Sequence, residues 1–182
     1  MDAFFDSLRG SELAILFTIG AGAAATCVRL FPNLKTAAAR SGIVSLQFAW
    51  TPARAAAITN SWRARHLDGS TRRSVYIDFF YIAGYGTAIA FLALLAGRAA
   101  KTSGFCSSHT ADLTADFVAI GAWSAGLCDC LENGGLLLLL RGSTQQPVPA
   151  LTSTVASLKW LLALAAALFS VALLIASAVT AT

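Results

Sequence analysis

The sequence predicts an all-α membrane protein: a four-transmembrane-helix bundle with a cytoplasmic amphipathic helical segment between spans one and two. Three observations carry that expectation. Hydrophobic residues make up 57% of the 182-residue chain and charged ones only 12%, against roughly 25% charged in a soluble domain. Four stretches, none interrupted by proline, each reach the roughly 20 apolar residues that cross a bilayer. The basic residues gather on one side of those stretches instead of spreading over a surface.

The spans cover about Ser11 to Phe31, Val75 to Gly97, Leu113 to Leu140 and Leu158 to Val179, within one integral membrane domain over 1–182. Asp2 and Asp6 stand where a signal peptide would carry positive charge, so span one is expected to be a permanent helix. The residues before it, with Phe4, Phe5 and Leu8, suit a short interfacial helix. Its run Gly20-Ala21-Gly22-Ala23-Ala24-Ala25 allows another helix to approach closely.

Orientation follows from lysine and arginine. Arg29, Lys35, Arg40, Arg54, Arg63, Arg65, Arg72, Arg73, Arg141 and Lys159 fall on one side, and Arg9, Arg98 and Lys101 on the other. Ten against three puts the long connection 32–73 in the cytoplasm and both termini outside. The compartment this implies is a membrane that borders the cytoplasm. A net charge of +4 is not a nucleic-acid signature when it is localised in this way.

The connection 32–73 is too long for a simple turn. Ser41 to Trp50 is apolar enough to press on the membrane or the bundle. Thr51 followed by Pro52 reads as an N-cap with proline at the first helical position, and the helix should run to about Arg63. With arginines on one side and Trp50, Ile58 and Trp62 on the other, an interfacial amphipathic helix is expected. Residues 98–112 and 142–154 read as connectors, and His66 as a solvated loop histidine. Cys27, Cys106, Cys128 and Cys130 form no disulfide framework; Cys128 and Cys130, two apart, point to nearly opposite sides of a helix and read as buried small hydrophobes.

The third span carries the chemistry. Asp129, Glu132 and Asn133 are spaced by three and four residues, which puts them within an arc of about 100° on one helical face. A charge at mid-membrane costs from about 2.5 to over 10 kcal/mol unless it is offset, so this face should look into the bundle. On span two, Asp78, Tyr81 and Tyr85 form a second stripe at the same spacing and in the same half of the bilayer. Three acids in a low dielectric need compensation, and three resolutions stay open. A divalent cation can bridge carboxylates with the Asn133 oxygen. Protons can neutralise the set and exchange with a substrate. Or Arg29 or Arg54 can form an ion pair. The spans lack histidine, which weighs against zinc and di-iron patterns, and the chain lacks Cys-x-x-Cys and a phosphate-binding glycine loop.

Three stretches together resemble a family of small bacterial four-span integral membrane proteins with no established activity. They are Trp50-Thr51-Pro52-Ala53-Arg54, the Asp78-Phe79-Phe80 of span two, and the Asp129-x-x-Glu132-Asn133 of span three. The resemblance covers about residues 43–140 and implies that these stretches form one site; it implies no reaction.

Three functions are expected. The first is a site that binds or transforms a lipid-like or amphipathic small molecule from the inner leaflet, with Asp129, Glu132 and Asp78 as acid–base groups or ion ligands and Tyr81, Tyr85, Asn133 and Arg54 holding the ligand. The second is an accessory subunit of a larger membrane complex, its acids structurally paired. The third is a proton- or ion-coupled carrier.

Overall fold

The structure is a computed structural model and describes residues 10–181. Among these residues the protein is all-helical: α1 Gly10–Leu30, α2 Ile43–Gln47, α3 Pro52–Arg63, α4 Asp68–Thr102, α5 Ser108–Leu140 and α6 Val148–Thr180, with no strand. The interfacial helix expected around Phe4 and Phe5 lies outside the described residues.

α1, α4 and α6 are long and apolar enough to cross a membrane. α5, the third expected span, has the length at 33 residues, but Asp129, Glu132 and Asn133 lower its apolarity. Three of these helices outrun their expected spans. α4 and α5 extend so far that only five residues, 103–107, separate them, and α6 begins at Val148 instead of Leu158. The connectors expected over 98–112 and 142–154 are therefore largely helix. Glu12 in the first turn of α1 and Arg29 in its last both complement the helix dipole. Serine and threonine inside the apolar helices satisfy their hydroxyls locally, as Thr18 does on Ala14 O at 2.8 Å and Ser170 on Ala166 O at 2.8 Å. Their polarity thus adds little cost in apolar surroundings.

The chain divides into two compact units. One comprises residues up to Ala24, Ala83–Ala125 and Leu161 onward. Small residues hold it together. A Cβ on Gly20 would stand 2.9 Å from both Ala88 N and Gly84 O, and one on Gly84 would stand 2.8 Å from Ala24 N. Within the glycine-rich run of α1, Gly20 and Ala24 are thus where two helix backbones touch, whereas a Cβ on Gly22 would meet nothing within 4 Å. Gly97 meets Ala111 and Ala115 in the same way. Ala90, Ala122 and Ala166 form the buried centre, and Lys101 pairs with Asp112 at 2.9 Å.

The other unit comprises Ala25–Ile82 and Gly126–Trp160. Its core gathers Leu46, Ile58, Trp62, Val75, Leu136 and Leu139. Thr51 caps α3 as expected, accepting the Arg54 N–H at 3.3 Å, with Pro52 at the first position and the last turn at Arg63. The apolar side of α3, however, faces protein and not lipid. Ala55 and Ile58 are 0% exposed and Trp62 1%, and Trp62 Nε1 donates to Leu34 O at 2.8 Å. The reason is that the segment before α3 supplies both the apolar partners and the one acceptor that the indole needs. Trp50 stays outside that core, and its backbone is clamped from α6 and the turn before it. Trp50 N donates to Ser153 Oγ at 3.0 Å, and Gln146 Nε2 donates to Trp50 O at 2.9 Å.

The tight backbone approach makes a sharp stability prediction. Gly84→Ala should lower the melting temperature of the detergent-solubilised protein by several degrees, although alanine is the better helix former. Overpacking costs about 1–3 kcal/mol, at about 2–4 °C per kcal/mol for a chain of this size. Gly86→Ala, on the same helix with nothing within 4 Å of the added carbon, is the control and should melt no lower than the wild type.

Candidate functional site

Asp129, Glu132 and Asn133 occupy one face of α5 and are buried, at 2%, 0% and 0% exposure. Leu127 and Leu131, on the turns beside them, are 68% and 69% exposed. The helix therefore turns its polar stripe inward and its leucines outward.

The cation that meets these acids is Lys159 of α6. Its Nζ donates to Asp129 Oδ1 at 3.0 Å. It meets Glu132 Oε2 at 2.6 Å, an ion pair by distance whose angles fall outside those of a hydrogen bond. Lys159 is itself only 6% exposed, and its ammonium lies 5.4 Å from the centre of the Trp160 ring. The aromatic face adds a cation–π contact to the carboxylate pairing.

This corrects the sequence expectation of an arginine partner. Neither Arg29 nor Arg54 makes the pair; Arg54 lines a recess between residues 37 and 58 instead. Lys159 reads from sequence as a loop charge because it stands at the expected start of the last span. α6 starts well before that, so Lys159 is about three turns inside the helix. A sequence signal does exist. Thr152, Ser153, Ala156 and Lys159 are all buried and share a face at spacings of three and four.

Asp78 of α4 joins the site through Asn133, whose Nδ2 donates to Asp78 Oδ2 at 2.9 Å. Asp78 lies within electrostatic reach of Asp129. Tyr81 packs edge-on against Phe31, ring centres 5.9 Å apart at 72°, within electrostatic reach of Asp78 and Asp129. Tyr85, the third member of the expected stripe, is half-buried and belongs to the other compact unit. The structure thus brings together Asp78, Asp129, Glu132 and Asn133, adds Lys159, sets Tyr81 beside them and moves Arg54 elsewhere.

Three carboxyl groups share one ammonium. Two buried acceptors, Glu132 Oε1 and Asn133 Oδ1, also have no hydrogen-bond partner among the described residues. A buried acceptor without a donor costs about 1–3 kcal/mol, so the site is short of hydrogen-bond donors. No group of three or more histidine, cysteine, aspartate or glutamate residues is arranged to hold a metal ion among the described residues. All four cysteines are free, and only Cys27 is a buried small hydrophobe; Cys128 is half-buried and Cys130 exposed. They flank the acid face of α5 on either side, at its margins and not within it, and the expected burial fails for them.

Comparison with known protein families, with curated proteins and with solved structures yields no match.

Removing the ammonium should be severe. Lys159→Met leaves Asp129 and Glu132 buried without a counter-ion, a loss of about 3–5 kcal/mol for breaking such a pair from one side. Adding Glu132→Gln should recover part of it by deleting a charge. Thermal unfolding followed by tryptophan fluorescence reads both. A Lys159→Met protein that melts within a degree of wild type would remove Lys159 from the site.

Proposed function

We propose that this chain is a four-span membrane protein whose buried acidic site binds a lipid-like or amphipathic small molecule from the inner leaflet, through a polar head that donates hydrogen bonds or carries positive charge. The deficit at the site is the observation that carries this reading. Glu132 Oε1 and Asn133 Oδ1 lack donors, and the three carboxyl groups exceed their one cation. A ligand with an ammonium or several hydroxyls answers both shortages; an apolar ligand answers neither. The exposed leucines of α5 offer the tail a surface continuous with lipid.

In this reading Asp129 and Glu132 accept the ligand head or exchange protons with it, and Lys159 keeps their charge tolerable when the site is empty. Asn133 holds Asp78 in place, and Tyr81 borders the head group. Taking Lys159 out of the loop count leaves nine basic residues against three, so the positive-inside bias still favours a cytoplasmic 32–73 connection and outer termini. The resemblance to small bacterial membrane proteins supports a bacterial inner-membrane location and the grouping of span two with span three.

One observation favours a second reading. Lys159 already engages both Asp129 and Glu132, as expected of structural glue in an accessory subunit of a membrane complex.

The two readings separate by extraction into native-lipid nanodiscs and mass spectrometry of what is retained. The first expects a small molecule with a donor-rich or cationic head. Asp129→Asn and Glu132→Gln combined with Lys159→Met, which removes the two acids together with the ammonium they hold, should lower its occupancy at least tenfold, about 1.4 kcal/mol, while the fold persists. Retention of another membrane subunit at fixed stoichiometry, with no small molecule in either protein, would overturn it in favour of the second.

A further inference from the structure

A second site, opposite in charge to the first, lies in the connection before α4. Residues 37–45 and α3 border an open recess of about 470 Å³, lined by Arg40, Ser41, Ser45, Arg54, Ala57 and Ile58 among others. That volume falls within the roughly 300–1,000 Å³ of small-molecule sites. From this recess we infer that the protein binds a phosphate-bearing anion, held by Arg40 and Arg54.

The walls are built, not incidental. Trp62 Nε1 ties the start of the loop to α3 through Leu34 O at 2.8 Å, and Thr36 Oγ1 meets Ser61 Oγ at 2.8 Å. Gly42, at φ +61°, turns the chain where a residue with a Cβ would be strained, and α2 follows directly. Ser45 is buried, and its Oγ accepts the Ser41 N–H at 3.0 Å, which leaves the Ser45 hydroxyl proton free to donate. Two guanidinium groups and a serine donor therefore border one space.

The charges have no internal answer. No aspartate or glutamate occurs from Pro32 to Leu67. Neither Arg40 nor Arg54 forms an ion pair among the described residues, whereas Arg63 does so with Asp68 at 4.0 Å. Arginine's planar fork matches the oxygens of a phosphate group two at a time, and this pairing is stronger than a neutral hydrogen bond. Ala57 and Ile58 give the recess an apolar wall, which suits a phosphate ester better than a bare ion. Such an ester can be a phospholipid head group or a free phosphorylated metabolite, and the shared chemistry is the phosphate.

Two arms of one experiment distinguish the sources. The full chain in detergent is titrated with phenyl phosphate by calorimetry, and the chain in nanodiscs of phosphatidylcholine with and without phosphatidic acid is scored for bound lipid by native mass spectrometry. Arg40→Ala with Arg54→Ala should weaken whichever arm binds by at least tenfold. Arg40→Lys with Arg54→Lys, which keeps charge and fold but loses the fork, should lose most of that affinity too. Arg65→Ala with Arg72→Ala removes the same charge outside the recess and should leave binding within about twofold. Equal losses in that control would reduce the effect to general charge and overturn the proposal, as would binding in neither arm. A wild-type-like lysine variant would overturn the role of the guanidinium fork.

Discussion

Lys159 between Asp129 and Glu132 is the contact on which the compact unit holding the site depends, because each of the three groups is costly where it lies without the others. Burying an ion pair returns little net stability; breaking it from one side is what costs. The arrangement therefore constrains more than it stabilises. α5 must present Asp129 and Glu132 to α6, and α6 must start early enough to bring Lys159 three turns into its length. The turn before α6 follows from the same demand. Gln146 and Ser153 both hold the Trp50 backbone, so the start of the helix that delivers Lys159 is fixed by the segment leading into α3.

Apolar burial cannot drive helices together inside lipid, so close backbone contact does this work elsewhere in the chain. Gly20 and Gly84 let α1 and α4 meet with no side chain between them, and Gly135 leaves room for Thr152 where a Cβ would collide. Each is a place where the smallest residue is needed for space, not for an unusual backbone angle.

The connection before α4 is a folded part of the protein. Its residues form most of one hydrophobic core, with Trp62 at the centre, and its hydrogen bonds run to Leu34, Ser61 and Ser153. An acid-rich cluster and an arginine-lined recess therefore belong to the same compact unit. One ammonium stands among the three carboxyl groups of the first, and two arginines without an ion pair among the described residues line the second.

Composition and helical periodicity alone determined the all-helical class, three of the four expected apolar spans, the Thr51–Pro52 start of α3 and the inward polar face of Asp129, Glu132 and Asn133. These are local properties, set by residue spacing along one helix and by the cost of charge in lipid. Tertiary structure decided the rest. It extended α6 back to Val148, which turned Lys159 from a loop charge into the partner of two acids. It turned Ile58 and Trp62 onto protein, and set Arg54 on a recess that Arg40 also lines and not on Asp129. It also left Cys130 outside and divided Asp78 and Tyr85 between two units. Spacing gives the face a side chain occupies, but which other helix meets that face depends on packing between segments far apart in sequence, and a periodic pattern carries no record of that.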